Sequence, residues 1–147
     1  MTLPQPKTSN YLEVQVQTAS KEQLLLMLYD GALRFCDVAR QRMQEKDIEG
    51  THKHLVKAKA IVVELMCSLD KRIGDPLYDN LIRLYNFIYM RLLEANFRKD
   101  AALLDEATQI LANLRETWSE AIKKNKQEGQ SQTYRFQQNH SSFSVQG

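Results

Sequence analysis

The chain has 147 residues, with 20 Lys plus Arg against 18 Asp plus Glu, so a net charge of +2 gives little overall attraction to nucleic acid or anionic lipid. That length suits one domain able to fold without disulfides or a structural metal. No apolar run reaches the roughly 18 residues of a membrane-spanning helix, and the polar opening MTLPQPKTSN lacks the apolar core of a secretion signal, so the expected location is the cytoplasm.

Residues 1–17 read as a leader. Leu12, Val14 and Val16 alternate with Glu13, Gln15 and Gln17, the pattern of an extended segment with one apolar edge. It is too short to stand alone as a strand and is expected to rest on the rest of the domain.

A first helix is predicted over Lys21–Lys46. Ser20 followed by Gln23 makes a capping box, and Leu24, Leu28, Ala32, Phe35, Ala39 and Met43 form its expected core stripe. Asp47 can cap a second helix, Ile48–Arg72, with the stripe Leu55, Ala58, Val62, Leu65 and Leu69 and with Gly74 as its stop. Asp75-Pro76 opens a third helix ending near Arg98, since proline suits the first helical turn. Its stripe is Leu77, Leu81, Leu84, Ile88, Leu92 and Ala95. Asp100 can cap a fourth, Ala101–Lys124, on Leu104, Ala107, Leu111, Leu114, Trp118 and Ile122. The links Lys46-Asp47 and Lys99-Asp100 leave almost no loop, which makes sequential helices antiparallel neighbours. The expected fold is all-α, an up-down four-helix bundle covering 18–124. Residues 125–147, rich in Gln, Ser and Asn, bury too little apolar surface to offset their ordering entropy and are expected to be disordered.

Apolar side chains exceed what these stripes need. The run Leu24–Tyr29 is apolar at every position, which puts apolar groups on every face of a helix. Leu25, Leu26, Met27, Tyr29 and Leu33 fall off the first stripe, Ile61, Val63 and Met66 off the second, and Tyr78, Tyr85, Phe87, Tyr89 and Met90 off the third. A wide bundle core accounts for some of them, but a large apolar set on a soluble protein points to an interface. Each anchor buried by a partner contributes roughly 1.5–3 kcal/mol.

Catalytic constellations are missing from the sequence. There is no Gly-rich phosphate loop. His52 and His54 are two apart on a helix, about 200° around it, and cannot share a metal. Cys36 and Cys67 lie on separate helices with no CxxC pairing and read as reduced thiols. Asp70, Asp75 and Asp79 read as solvated helix ends. Lys123, Lys124 and Lys126 suit the carboxyl end of a helix through its dipole. No cofactor, metal, enzyme activity, nucleic-acid partner or membrane insertion is expected.

Several motifs occur in a specific order: Tyr11 and Val16 ahead of TAS and LLLMLYDGALRF, LDKRIG at 69–74, LYNFIYMRLLEANFRKD at 84–100 and LRETW at 114–118. In that order and spacing, over residues 11–122, the chain resembles the FliS family of flagellar secretion chaperones. It departs from the family pattern at Lys21, where proline is frequent, and in the Gln/Ser-rich tail. The resemblance implies a bundle that clamps the disordered C-terminal segment of flagellin, prevents premature polymerisation, keeps the subunit fit for type III export, and docks at the flagellar export gate. It also implies an N-terminal lid, here Tyr11, Leu12, Val14 and Val16. The client-binding candidates are Leu26, Met27, Tyr29 and Leu33 on the first helix and Tyr85, Tyr89 and Met90 on the third. Asp30, Arg91 and Asn96 match polar motif positions, either as client contacts or as contacts between helices. The alternative reading is a homodimeric structural or adaptor bundle with no flagellin client.

Overall fold

The computed structural model describes the backbone of Val14 and of residues 18–146, and the side chains of Val14 and residues 18–129. Ser20 starts the first helix, α1 (Lys21–Gln44), through the predicted capping box: Gln23 N donates to Ser20 Oγ at 3.2 Å and Ser20 N to Gln23 Oε1 at 3.1 Å. Then follow α2 (Ile48–Ser68), a short 3-10 turn η1 (Lys71–Ile73), α3 (Asp75–Arg98) and α4 (Ala101–Gln146). Among the described residues there is no strand.

The chain divides into two units, one running through Arg115 and the other beginning at Glu116. In the first unit α1 packs on α2 and α2 on α3. Arg40 Nε donates to Asp105 Oδ1 at 2.8 Å, joining α1 to α4, and Arg91 Nε lies 3.4 Å from Glu106 Oε2, joining α3 to α4. The four helices therefore close into a ring, with α1 diagonal to α3. The buried apolar side chains are Tyr29, Ala32, Cys36 and Ala39 on α1, Leu55, Ala58, Val62 and Leu65 on α2, Leu81, Tyr85, Ile88, Leu92 and Ala95 on α3, and, among the described residues, Leu104, Ala107 and Leu111 on α4. All follow the three-four spacing of one helix face.

The expected α1 stripe is displaced by one position. Leu28 and Phe35 are half-buried, while Tyr29 and Cys36 face inward. Small side chains explain the shift. Gly31 lies so close to α2 that an added Cβ would sit 3.2 Å from Ile61 Cδ1, and Ala32 and Ala39 keep the approach narrow. A tyrosine can then reach the centre of the bundle, where its hydroxyl finds a partner. The tips of the predicted α3 stripe differ too: Leu77 is exposed and Leu84 half-buried.

Both short links share one construction. Asp47 N donates to Arg42 O at 2.9 Å and Asp100 N to Ala95 O at 3.1 Å, closing α1 and α3 with a Schellman-type bond across a left-handed residue. That residue is lysine in both cases, Lys46 at φ 60° and Lys99 at φ 52°. The following aspartate caps the next helix: Asp47 Oδ1 accepts from Gly50 N, and Asp100 Oδ1 from Ala102 N, each at 2.9 Å.

The second helix stops at Ser68, earlier than predicted. Leu69 turns extended, and Asp70 accepts from Arg72 N at 2.9 Å and from its guanidinium at 2.7 Å, starting the separate turn η1. The hydrogen bonds from Arg72 hold the Asp70 carboxyl down at about 2. Gly74 then adopts φ 107° and ψ 143°, a region open essentially to glycine alone.

Two flanking expectations change. The fourth helix does not stop near Lys124 but continues to Gln146, so the segment expected to be disordered is helical. Composition shows that it cannot build a core, but extending an existing helix avoids the nucleation cost, and Gln, Lys, Glu and Arg are good helix formers. Trp118 and Ile122, predicted as core, are half-buried residues of the second unit. In the leader, Val14 is helical rather than extended, and Thr18 Oγ1 donates to its carbonyl at 2.8 Å. Tyr11, Leu12 and Val16 lie outside the described residues.

Gly74→Ala is expected to lower stability by about 1–3 kcal/mol, because alanine must enter a glycine-only conformation. Lys46→Gly is expected to raise it by about 0.5–1 kcal/mol, as relief of the left-handed strain exceeds the added flexibility of the unfolded chain. Urea-unfolding midpoints measure both.

Candidate interaction surface

Packing separates the residues nominated from sequence. Tyr29 and Tyr85 are 0% and 1% exposed, and their hydroxyls hydrogen-bond to each other across the diagonal between α1 and α3. A buried phenol needs such a partner. They are core residues and offer no surface to a client, which corrects their nomination. Leu26, Met27 and Leu33 are half-buried on α1. On α3, Tyr89 is half-buried with Lys59 Nζ of α2 5.8 Å from its ring centre, and Met90 is 57% exposed. Because α1 and α3 are diagonal, these two groups do not make one continuous patch.

A different surface emerges on α3. Asn86, Met90, Leu93 and Phe97 recur at spacings of four, three and four, opposite the core stripe Leu81, Ile88, Leu92 and Ala95. Phe97 is 88% exposed, and Phe87 and Leu93 are also open to solvent. Toward α2 the strip passes Tyr89 and meets Val56 and Val63, both exposed. Leu93, Phe97 and Val56 were missed from sequence. Their spacing was the available signal, but it becomes informative only once the opposite face is known to be the core.

The three polar motif residues all contact other helices. Asp30 Oδ1 accepts from Arg115 Nε of α4 at 2.6 Å. The Asn96 amide donates to Nδ1 of His52 on α2 at 2.8 Å, and Asn96 also accepts from Lys99 Nζ. Arg91 is the centre of a charged cluster. Its Nη1 donates to Glu94 at 3.2 Å, its Nε faces Glu106, and its guanidinium lies 4.7 Å from the Phe87 ring centre. Glu94 in turn faces Arg98 Nε at 3.4 Å. This cluster borders the strip on its α4 side and holds Phe87 at its edge.

The histidines diverge as their spacing required. His52 turns to Asn96 of α3, whereas His54 donates to Gly50 O at 2.7 Å and lies near Phe35 of α1. Burial pushes the Cys36 thiol up to about 12, leaving it protonated and unreactive at neutral pH, while Cys67 is exposed. Among the described residues no cluster could hold a metal ion, and no helix is long and apolar enough to cross a membrane.

The described residues thus form a four-helix bundle with an exposed apolar strip along one helix. Comparison with known proteins gives the family. The model of the flagellar protein FliS family matches residues 4–125. The flagellar secretion chaperone FliS of Bacillus subtilis is 34% identical over 122 residues, 83% of this chain and 90% of that protein. The protein of the same name from Escherichia coli is 37% identical over 112 residues, 76% of this chain and 82% of that one. A solved structure described as a flagellar chaperone from bacteria superposes with a TM-score of 0.67 at 18% identity, covering 81% of this chain and 99% of that one, a likeness of fold. The chain belongs to the FliS family of flagellar secretion chaperones, which are not enzymes.

With a disulfide-forming thiol reagent near pH 8, Cys67 is expected to react rapidly in the folded protein and Cys36 only as the bundle unfolds. Two equally fast thiols in the native state would contradict the burial of Cys36.

Proposed function

We propose that this chain is a cytoplasmic chaperone that holds the disordered C-terminal segment of flagellin, keeps it from polymerising early, and delivers it to the flagellar export gate. The observation that carries this reading is the strip Phe87, Met90, Leu93 and Phe97 on the outer face of α3, in a chain of the FliS family. The client lies along that strip and across Tyr89 toward Val56 and Val63 of α2. Leu26, Met27 and Leu33 on α1 offer a second, shallower contact for a segment long enough to wrap the bundle. The leader residues Tyr11, Leu12, Val14 and Val16 cover part of this surface before the client arrives. Val14, 59% exposed, is available for that role.

The magnitudes agree with a releasable complex. Four anchors contribute roughly 6–12 kcal/mol gross at about 1.5–3 kcal/mol each. Ordering a disordered client costs about 2–5 kcal/mol or more, and rigid-body terms subtract further. The strip alone leaves at most about 10 kcal/mol before the rigid-body terms, which corresponds to micromolar or weaker binding, so tighter binding needs the added contacts on α1 and α2.

Calorimetry with the C-terminal segment of flagellin tests the reading. One client per chain is expected, with a gain of helix on binding. Met90→Asp together with Phe97→Asp is expected to weaken binding by about 10- to 100-fold without loss of helicity, since both side chains are exposed and unneeded by the core. No heat of binding with the unaltered chain, or a tight homodimer indifferent to flagellin, would refute it.

A further inference from the structure

The seam where α2 meets the apolar strip carries a charge that the strip does not explain. Between Gly50 and Val63 the helix holds Lys53, Lys57 and Lys59 and no acidic residue. The three lysines point in different directions. Lys53 is exposed on the outer face, and Lys57 turns toward α1, its Nζ 5.5 Å from the Phe35 ring centre. Lys59, about 200° around the helix from Lys57, turns toward α3 and is half-buried over Tyr89.

Among the described residues, Lys59 has no carboxylate beside it on the seam. Within two turns of Lys59 the residues on the α3 side of α2 are His52, Val56, Val63 and Met66, and within two turns of Tyr89 those on the α2 side of α3 are Ile82, Leu93 and Asn96. None is a carboxylate. The acidic residues of α2, Glu49 and Glu64, sit on its exposed outer face. Among the described residues Lys59 takes part in no ion pair. Its stem packs along the seam, and the Tyr89 ring meets the ammonium on one side, leaving donors for a further acceptor.

Resting on the client reading above, we infer that Lys59 is a charge-selecting contact at the α2 edge of the strip, taking a carboxylate from a client stretch that is otherwise apolar on the face it lays down. The apolar strip supplies affinity without direction, because burial is not directional. A cation on one side only gives the bound segment an orientation and rejects segments with a basic residue at that edge. The opposite border is already neutralised within the protein, where Arg91, Glu94, Glu106 and Arg98 pair with one another. That asymmetry fixes which side of the client is acidic. Val56 and Val63, exposed beside Lys59, favour an amphipathic peptide over a nucleic-acid backbone, which would need phosphate contacts in place of apolar ones.

Fluorescence anisotropy with the labelled C-terminal segment of flagellin from the same bacterium tests this with the full-length chain. Four proteins are compared: the unaltered chain, K59E, K59M, and K57E, which makes the same charge reversal on the same helix but on its α1 side. K59E is expected to bind about tenfold more weakly at about 50 mM salt, with the difference shrinking at about 300 mM. K59M, which keeps an apolar stem over Tyr89, is expected to lose about threefold, and K57E to stay within about twofold of the unaltered chain. Circular dichroism checks that all four remain helical. Equal affinity of K59E and the unaltered chain overturns the contact while leaving the client reading intact, and so does equal weakening by K59E and K57E. A loss in K59M as large as in K59E and indifferent to salt overturns it in favour of a packing role. Binding to phosphatidylserine vesicles that K59E abolishes, with flagellin affinity unchanged, overturns it in favour of a lipid surface. Absence of binding by the unaltered chain overturns the client reading itself.

Discussion

Two tyrosine hydroxyls meet at the centre of the bundle, and the arrangement around them depends on that meeting. Tyr29 and Tyr85 are fully buried on diagonal helices, so each fills a large volume where all four helices converge. A phenol can occupy such a place only if its oxygen has a partner, and here one hydroxyl donates to the other. The pairing fixes the rotation of α1 and α3 about their own axes. Once Tyr85 points inward, Met90, Leu93 and Phe97 must point outward, because a helix cannot place both faces in one core. The exposed strip is therefore a consequence of the core.

The links impose the second constraint. Left-handed Lys46 and Lys99 reverse the chain within a few residues, and the aspartates after them cap the helices that follow. Between α2 and α3 the six-residue connection holds η1 and ends at Gly74, whose conformation admits no side chain. This connection lets α3 return along α2, which sets Lys59 of α2 beside Tyr89 at the edge of the apolar strip. The same closeness brings Arg91 to Glu106 and Asp30 to Arg115, so the polar residues of the family motifs serve as ties between helices. Residues that resemble a binding signature in sequence are in this way part of the frame that presents the apolar strip.

Much of the frame was legible in the residue order. Ser20 with Gln23, Asp47, Asp100 and the Asp75-Pro76 pair mark helix starts by local chemistry that needs no tertiary partner. The core positions of α2 were legible because Leu55, Ala58, Val62 and Leu65 are the only strongly periodic choice there. On α1 they were not. A run that is apolar from Leu24 to Tyr29 supports several stripes equally, and Gly31 against Ile61 made the selection. The same ambiguity put Tyr29 and Tyr85 among the candidate client residues and left Leu93 and Phe97 out. In the tail, amino-acid composition spoke to burial, whereas the continuation of α4 to Gln146 depends on a helix already formed upstream.

The sequence by itself determined the helices, their order, their antiparallel run and the family, because caps, spacings and ordered motifs are properties of neighbouring residues. Only the tertiary structure decided which apolar groups are core and which are surface, and that Lys59, rather than Lys53 or Lys57, stands against the strip on α3. Those are choices of rotation and proximity between separate helices, set by packing small residues against large ones and by the need of each buried polar atom for a partner.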